Sequence, residues 1–429
     1  MEGAKKVFQR IEELTRPDAV FLSINEVPLR HPIHGGELPH TPGTREYFSD
    51  GRYCFRPDPN YYRGTLRPDS CIKEDKDVLA IAVEKGHKIG LRVFAWVQTF
   101  NLAPLAAQNP METARDIEGN PIREWFCPNN PAIIEYNLSV LTDLATSYEI
   151  DGIFIDRFRY PSFFDRIPAF FSCFCDRCHH QALRQGYDWT RMRQDVTEIF
   201  HRIRTTQSSN IKNMVFTGYG SGADVIQTLM KYPGVLDWMR FRCESIANYV
   251  KAAYRHVKNQ RDEVLEFGLD IWTPSYSWVV GQRYDILTDF CDWVKPICYP
   301  GAGPAGVAGE IVHFLDQWCK LTSLESTDAI LPVIYRFLGF EFDLPLTEDL
   351  LRYKGFPTDL FPLEMARARE KVGSEKPIYA GVPIFDVGTQ GVRDRIQMAK
   401  TTNIQGILLF CYDWASFKNL KAAGEAFHQ

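Results

Sequence analysis

Short apolar runs, several of them ending in a polar residue, recur along this 429-residue chain and alternate with amphipathic stretches. Their near-continuous hydrophobicity is typical of strands that are covered on both faces. The runs predict eight strands, at Ala19–Ile24, Leu91–Val97, Gly152–Asp156, Met214–Tyr219, Leu265–Ile271, Trp293–Tyr299, Ile378–Ile384 and Gly406–Tyr412. The stretches between them predict helices, among them Lys76–Ile89, Ala132–Tyr148, Asp237–Asn259, Leu363–Val372 and Val392–Thr401. Eight strands alternating with helices predict an α/β fold, the (β/α)8 TIM barrel.

Three long segments interrupt this alternation, near residues 27–72, 160–190 and 300–362. In a barrel, function is carried by the connections that follow the strands, so these inserts predict long, elaborated βα loops. A further apolar run, Ile330–Tyr335, is a ninth strand candidate inside the third insert. No repeat or low-complexity tract separates a second unit, and the sequence predicts a single barrel domain over residues 1–429.

The overall composition narrows the class of protein and of partner. Hydrophobic residues make up 45% of the chain and charged residues 24%, with a net charge of −5. This balance argues against a nucleic-acid or anionic-membrane partner, which would require a basic face. The N-terminus lacks an apolar stretch of signal-peptide length, and no segment reaches transmembrane length. The sequence therefore predicts a soluble, cytoplasmic protein unless a signal peptide has been removed, and it leaves open whether the chain forms a homo-oligomer.

Four cysteines form the most specific motif of the chain. Cys173, Cys175 and Cys178 stand in a Cys-x-Cys-x-x-Cys pattern, and Cys127 occurs earlier, before Pro-Asn-Asn-Pro. Thiols so close in sequence are poorly placed to bridge one another, but they suit three corners of a tetrahedral zinc site, with Cys127 as the fourth ligand. Four thiolates leave no open position on the ion, so the predicted role is structural. The alternative is four unrelated free thiols.

Asp156 is the first candidate for catalysis, because it ends the apolar run Gly152–Asp156 and catalytic groups of barrels come from strand ends. Arg157 and Arg159 follow closely. They are expected either to keep Asp156 ionised as a base or nucleophile, or to bind an anionic substrate. The alternative for Asp156 is a structural salt bridge that holds the loop.

An apolar strand that ends in a carboxylate, followed by a zinc-stapled loop, suggests a carbohydrate-processing barrel. Glycoside hydrolysis by the usual route requires a second carboxylate. Asp270 is the preferred candidate, since it stands near the end of its predicted strand and is followed by Trp272. Glu26, Glu244 and Asp413 are its rivals. For any one of these four, a supporting role or a place on a helix surface is at least as common as catalysis.

Polar residues that interrupt apolar runs near strand ends extend the predicted site. Gln98, Lys295 and Tyr299 are of this kind, and burying Lys or Gln without partners is costly, so they are expected to face the barrel mouth. Trp272 and Trp414 stand just beyond strand ends and are predicted to stack on a sugar ring. Aromatic residues make up 13% of the chain, which favours a carbohydrate ligand, although filling a large core is the commoner reason.

The cysteine layout resembles the zinc site of the family 42 β-galactosidases. Those enzymes carry a Cys-Pro-Asn-Ser-Pro segment and a later Cys-x-Cys-x-x-Cys on a (β/α)8 barrel, whereas this chain has Cys127-Pro-Asn-Asn-Pro131 and residues 173–178. Their intervening strand ends in Asn-Glu, the Glu being the acid/base, and here it ends in Asp156-Arg157. Their mechanism therefore does not carry over to Asp156 intact. A longer region, about residues 50–415, is similar to the broad set of glycoside hydrolase-like barrels known mainly from genome sequences.

These resemblances imply a glycosidase that acts on an oligosaccharide or glycoconjugate through carboxylates at the C-terminal mouth of the barrel. One alternative is a sialidase-like hydrolase, in which an arginine binds the carboxylate of an acidic sugar; the candidates are Arg157, Arg159, Arg240 and Arg242. Another is a carbohydrate-binding barrel without catalysis, because a fold does not guarantee an activity.

Overall fold

The structure, a computed structural model, describes residues 3–32, 38–41, 43–72, 76–162, 165–207, 222–260, 265–301, 306–322, 327–385 and 387–428. Its strands are β1 Ala19–Ser23, β2 Leu29–Pro32, β3 Glu46–Ser49, β4 Arg92–Gln98, β5 Thr113–Arg115, β6 Pro121–Phe126, β7 Gly152–Asp156, β8 Glu266–Ile271, β9 Trp293–Pro296, β10 Tyr379–Pro383 and β11 Gly406–Phe410. Its α-helices are α1 Ala4–Leu14, α2 Val78–Lys88, α3 Ala103–Gln108, α4 Pro131–Ser147, α5 Ile167–Phe170, α6 Asp176–Arg184, α7 Trp189–Arg204, α8 Gly222–Lys231, α9 Pro233–Lys258, α10 Tyr284–Leu287, α11 Val307–Thr322, α12 Leu331–Leu338, α13 Glu348–Lys354, α14 Leu360–Val372, α15 Thr389–Lys400 and α16 Phe417–His428.

Parallel strands form the centre of the molecule. Five of them make one sheet in the order β1-β4-β7-β8-β9, and β10 pairs in parallel with β11. A parallel bridge between Val294 and Ile378 joins the two parts. The sheet curls on itself, because Phe21 on β1 contacts Trp293 on β9 with ring centroids 5.7 Å apart. The chain therefore has the predicted α/β barrel architecture, with parallel strands around a common interior.

Aromatic rings fill one part of the barrel interior. Phe94, Phe154 and Trp293 are buried in one cluster, and Phe21, Trp96 and Tyr379 pack against it. Two glycines make room for these rings, since a methyl group at Gly152 would overlap the ring of Phe94 and one at Gly268 that of Trp293. Side chains alternate between the two faces of a strand, so the residue two positions further along also faces the interior.

The helices predicted from amphipathic periodicity are confirmed as α2, α4, α9, α14 and α15. Local capping explains where two of them begin. The side chain of Asp77 accepts a hydrogen bond from the amide of Ala80 at the start of α2, and Asn130 does the same for Ala132 at the start of α4. Pro131 then occupies the first turn, where its missing amide costs nothing.

Two strand predictions need comment. The run Met214–Tyr219, predicted as the fourth strand, lies outside the described residues. Strands β7 and β8 pair directly with each other, so the third and fifth predicted strands are adjacent rather than separated by a fourth. The ninth candidate, Ile330–Tyr335, is wrong: it is mostly the helix α12, which has Pro332 in its first turn and ends at Gly339 with a φ of +67°. Proline and glycine at these positions favour a short helix over a strand.

The inserts carry their own elements. Residues 27–72 contain the antiparallel pair β2–β3, residues 160–190 contain α5 and α6, and residues 300–362 contain α11 to α13. Within the described ranges, none of the helices is both long and apolar enough to cross a membrane.

Candidate active site and metal centre

Four neighbouring strands carry a polar side chain at the same level near their C-terminal ends. Gln98 on β4 pairs in register with Asp156 on β7, and Asp270 on β8 pairs in register with Lys295 on β9. The register between β7 and β8 places Asp156 next to Asp270. Each of the four residues lies two positions after an interior residue, so all four face the barrel interior. We call this set the polar ring.

Asp270 and Lys295 form an ion pair inside the polar ring. Lys295 Nζ lies 3.0 Å from each carboxylate oxygen of Asp270, and both side chains are only 2% exposed. Burial raises the pKa of Asp270 to about 7, although the charge of Lys295 opposes the rise. Burial lowers the pKa of Lys295, but its interactions with Asp270 and Tyr299 together raise it more, and the result lies above the ordinary value. Each charge of this pair therefore depends on the other.

Asp156 is the half-exposed member of the polar ring, whereas the other three side chains are buried. Its charge further raises the pKa of Asp270, which places the two carboxylates within electrostatic reach of each other. The next residue, Arg157, has a φ of +51°. This left-handed conformation costs a non-glycine residue about 1–3 kcal/mol and is concentrated at functional sites. In this turn the amide of Arg157 donates to Asp156 Oδ1 at 2.5 Å.

A second acidic group lies just beyond the end of β1. Glu26 is half-buried, and the hydroxyl of Tyr47 on β3 donates a hydrogen bond to its Oε2. Burial raises the pKa of Glu26 above the ordinary value; the hydrogen bond from Tyr47 opposes this rise and the charge of Asp413 adds to it. The ring of Trp414 meets that of Tyr47 edge to face, with centroids 5.4 Å apart. Glu26, Asp413 and Trp414 thus belong to one cluster at the barrel mouth.

Two polar atoms near the polar ring lack hydrogen-bond partners within the ranges that the structure describes. The Oε1 atom of Gln98 and the Nε1 atom of Trp96 are buried and have no hydrogen-bond partner among the described residues. Tyr299 lies beside Lys295, whose Nζ is 5.2 Å from the centroid of its ring, and it stacks on Phe410 at 5.4 Å. Because buried polar atoms are normally paired, the unpaired donor and acceptor suit a polar ligand.

Other predicted site residues lie elsewhere. Arg159 is 4% exposed, and its guanidinium packs on the ring of Trp272 at 4.3 Å and on that of Trp125 at 4.7 Å. The face of Trp272 that a sugar would need is therefore covered by Arg159. Glu244 is exposed on α9 and accepts a hydrogen bond from the hydroxyl of Tyr187 at 2.8 Å.

The four cysteines predicted as zinc ligands are brought together. Their Sγ atoms all lie within 4.8 Å of one another, and we call Cys127, Cys173, Cys175 and Cys178 the four-cysteine cluster. The Sγ atom of Cys127 is 3.5 Å from those of Cys175 and Cys178. A disulfide would require about 2.05 Å, whereas a tetrahedral ion with Zn–S distances of about 2.3 Å has sulfur–sulfur edges of about 3.8 Å. The sulfur positions therefore fit a tetrahedral metal ion.

The local fold explains how distant cysteines meet. Cys127 follows β6, and Cys178 stands in the first turn of α6. The loop before α6 is held against β5, because the amide of Phe174 donates to the carbonyl of Arg115 at 3.1 Å. Two neutral donors point at the sulfurs: the amide of Arg115 lies 3.3 Å from Cys173 Sγ, and Asn129 Nδ2 lies 3.4 Å from Cys178 Sγ. Donors to sulfur favour the thiolate form that a metal requires.

Two members of these sites were not found from the sequence. Tyr47 lies in the first long insert, where no apolar periodicity marks its role. The other is Arg242, which is buried on α9 within electrostatic reach of Cys173 and Cys178 and was considered only as a sugar-binding arginine. Its position in a mostly apolar stretch of the helix Asp237–Asn259 was the available signal, since a buried arginine requires a counter-charge.

No family model matches the chain, and no curated protein matches its sequence. Among solved structures it is similar to the PgaB (BpsB) glycoside hydrolase domain from Bordetella bronchiseptica, with a TM-score of 0.55 and 11% identity over 96% of this chain and 88% of that one. It is also similar to alpha-L-fucosidase isoenzyme 2 from Paenibacillus thiaminolyticus, with a TM-score of 0.52 and 13% identity over 99% of this chain. This chain spans 46% of the length of that fucosidase. Identities this low show a shared fold, and that fold occurs in glycoside hydrolases.

Proposed function

We propose that this protein is a glycoside hydrolase that acts on an oligosaccharide or glycoconjugate at the polar ring. The observation that carries the proposal is the half-exposed carboxylate of Asp156 beside the buried Asp270–Lys295 pair, at the C-terminal ends of parallel barrel strands. Catalytic groups of such barrels come from strand ends on this face. A glycoside hydrolase domain and a fucosidase share the fold, which agrees with this chemistry.

In the proposed reaction, Asp156 is the carboxylate that meets the anomeric carbon or the attacking water. A second carboxyl group must protonate the leaving oxygen. Two groups with a raised pKa compete for that role, Asp270 and Glu26. Both oxygens of Asp270 are held by Lys295, whereas Glu26 is half-exposed at the mouth. We therefore assign proton donation to Glu26, and to Asp270 and Lys295 the positioning of charge beside Asp156.

The two assignments predict different products. Adjacent strands lie about 4.8 Å apart, so Asp156 and Asp270 would approach the separation of about 5–5.5 Å that is typical of retaining enzymes. Glu26 follows β1, two strands away from β7 in the sheet. That gives a lateral distance of about 9–10 Å, near the upper end of the inverting range of about 6.5–9.5 Å. The assignment to Glu26 therefore predicts inversion.

Hydrolysis of a panel of aryl glycosides, sialosides included, tests the proposal, with NMR identifying the anomer first released. Asp156→Asn should lower turnover by at least ~10² and leave the unfolding midpoint unchanged, because this nearly isosteric change removes only charge and proton capacity. Asp394→Asn, an exposed site on α15, is the control. Binding without turnover across the panel would favour a carbohydrate-binding barrel. A lowered midpoint in Asp156→Asn would instead mean that Asp156 holds the loop.

We also propose that the four-cysteine cluster binds one structural zinc ion. Soft thiolate ligands favour zinc over cations that prefer oxygen, and four of them leave no position for a reacting water. The expected role of the ion is to hold the loop that follows β7 and therefore begins just after Asp156. Elemental analysis should find about one zinc per chain. A protein without zinc, or a disulfide between Cys173 and Cys178, would refute this proposal.

A further inference from the structure

Arg242 on α9 is a buried cation beside the four-cysteine cluster. Its side chain is 1% exposed, and its guanidinium carbon lies 4.4 Å from the ring centroid of Trp238 and 4.6 Å from that of Tyr160. Cys173 and Cys178 are within electrostatic reach of the guanidinium. Its Nε and Nη2 atoms are buried and have no hydrogen-bond acceptor in the part of the chain that the structure describes.

An isolated guanidinium is costly to bury, and aromatic faces offset only part of that cost. Neutral thiols do not supply the missing negative charge. Four thiolates around a divalent ion do, because such an assembly carries a formal net charge of about −2. A buried anion of this size has the same problem as the cation, since it too requires a counter-charge. The guanidinium and the sulfurs of Cys173 and Cys178 lie within electrostatic reach of each other, so each group would compensate the other.

We infer that Arg242 is the counter-ion of the metal-loaded four-cysteine cluster. It is a positioning residue, which binds no metal itself but balances the charge of the thiolates. The inference rests on the zinc site proposed above. The amide of Arg115 and the side chain of Asn129 already donate to the sulfurs. Both donors are neutral, and Arg242 adds the positive charge that they lack.

This role would also connect the metal centre to the outer layer of the barrel. Trp238, four residues before Arg242, donates from Nε1 to the carbonyl of Ser172 at 3.1 Å. Residues four apart lie on the same face of a helix, so Arg242 lies one turn of α9 from this contact and on the same side. Metal binding and the docking of α9 on the loop after β7 are thus expected to reinforce each other.

The test measures zinc affinity by competition with a chromophoric chelator, in the full chain. Arg242→Met, which keeps the bulk of the side chain but not its charge, should weaken zinc binding by about 10–100-fold, the usual effect of losing a residue that supports metal ligands. Arg242→Lys should recover most of the affinity because it restores the charge. Arg240→Met is the matched control, since Arg240 lies on the same helix with a side chain that is 58% exposed.

Thermal unfolding separates a counter-ion from a packing residue. With zinc bound, Arg242→Met should unfold at a lower temperature than the wild type. After removal of the metal by a chelator, it should unfold at the same temperature or a higher one, because the wild type then keeps an uncompensated buried charge. If Arg242→Met does not fold, Arg242→Gln is compared in the same way.

The outcomes distinguish this inference from the zinc proposal. A wild type that neither contains nor binds zinc refutes both. Zinc-loaded Arg242→Met with the affinity of the wild type, or with equal destabilisation in the presence and absence of metal, refutes the counter-ion alone. A loss of affinity that Arg242→Lys restores and Arg240→Met does not reproduce supports it.

Discussion

Lys295 and Arg242 are both buried cations, yet their surroundings differ. Lys295 faces the barrel interior from β9, and its Nζ lies 3.0 Å from both carboxylate oxygens of Asp270. Arg242 lies on α9 among aromatic rings, and two of its nitrogens have no acceptor among the described residues. The strands carry their own counter-charge at the polar ring, whereas the helix faces four thiols. The comparison shows how a missing counter-charge can indicate a bound ligand, because a buried charge without a partner destabilises the folded state.

The largest effect is expected from breaking the pair that is already complete. Lys295→Met leaves the Asp270 carboxylate buried without a counter-ion, which should lower the free energy of unfolding by about 3–5 kcal/mol. Adding Asp270→Asn should restore much of this, since replacing a whole buried pair by neutral groups is often close to neutral in stability. Urea denaturation measures both variants. Asp285→Asn breaks the exposed pair with Arg283 and should cost no more than about 1 kcal/mol.

If the double variant is as unstable as Lys295→Met, the two residues do not depend on each other. The buried pair would then be no guide to Arg242.

Removal of metal is expected to have the next largest effect. At free zinc about 1,000 times the dissociation constant, bound metal stabilises the fold by about 4 kcal/mol, and a chelator should remove that stability. The wild type should therefore unfold at a lower temperature in chelator. Cys178→Ser, which lacks one ligand, should respond much less. Cys291→Ser alters a buried thiol outside the four-cysteine cluster and should respond like the wild type.

The wild type could contain zinc by elemental analysis and yet unfold at the same temperature with and without chelator. That result would place the zinc outside this cluster.

The dependence of stability on pH tests the Asp270–Lys295 pair, which is one half of this comparison. The folded pKa of Asp270, about 7, lies above its ordinary value of 3.8, so the folded state binds the proton more tightly than the unfolded chain. The resulting stability is fully present below about pH 4 and is lost as the pH rises through about 7. The free energy of unfolding of the wild type, relative to Asp270→Asn/Lys295→Met, should therefore fall across this window. Urea denaturation at steps of about one pH unit measures this difference. A difference in the free energy of unfolding that does not change with pH would contradict the raised pKa.

The sequence predicted the strands well because hydrophobic runs and strand ends have a local cause. The run Gly152–Asp156 is β7 with the same bounds, and the cysteine pattern alone was enough to group its members. The run Ile330–Tyr335 failed because a short apolar stretch does not distinguish a strand from a buried helix. Pro332 and Gly339 carried the missing information as helix start and stop signals.

The arrangement of the site depended on contacts that no local pattern contains. The sequence placed Asp156 and Asp270 two strands apart, but direct pairing of β7 with β8 makes them neighbours. The partnership of Asp270 with Lys295 follows from the register between two strands, which is set by packing over the whole sheet. Trp272 is a further example, because its place beyond a strand end predicted stacking on a sugar ring, whereas Arg159 packs on that ring.

The smallest effect concerns Glu26 at the barrel mouth, whose partner is the neutral hydroxyl of Tyr47 instead of a cation. The hydrogen bond from Tyr47 lowers the pKa of Glu26, so Tyr47→Phe should raise it. A hydrogen bond to a charged group contributes about 1.5 kcal/mol, which corresponds to about one pKa unit. The alkaline limb of the pH dependence of kcat/KM reports the proton donor of the free enzyme, and it should move upward by about one unit at most. Tyr353→Phe, at an exposed tyrosine on α13, is the control. If the limb stays in place in Tyr47→Phe but moves in Lys295→Met, the proton donor is Asp270, and the complete buried pair is itself part of the catalytic machinery.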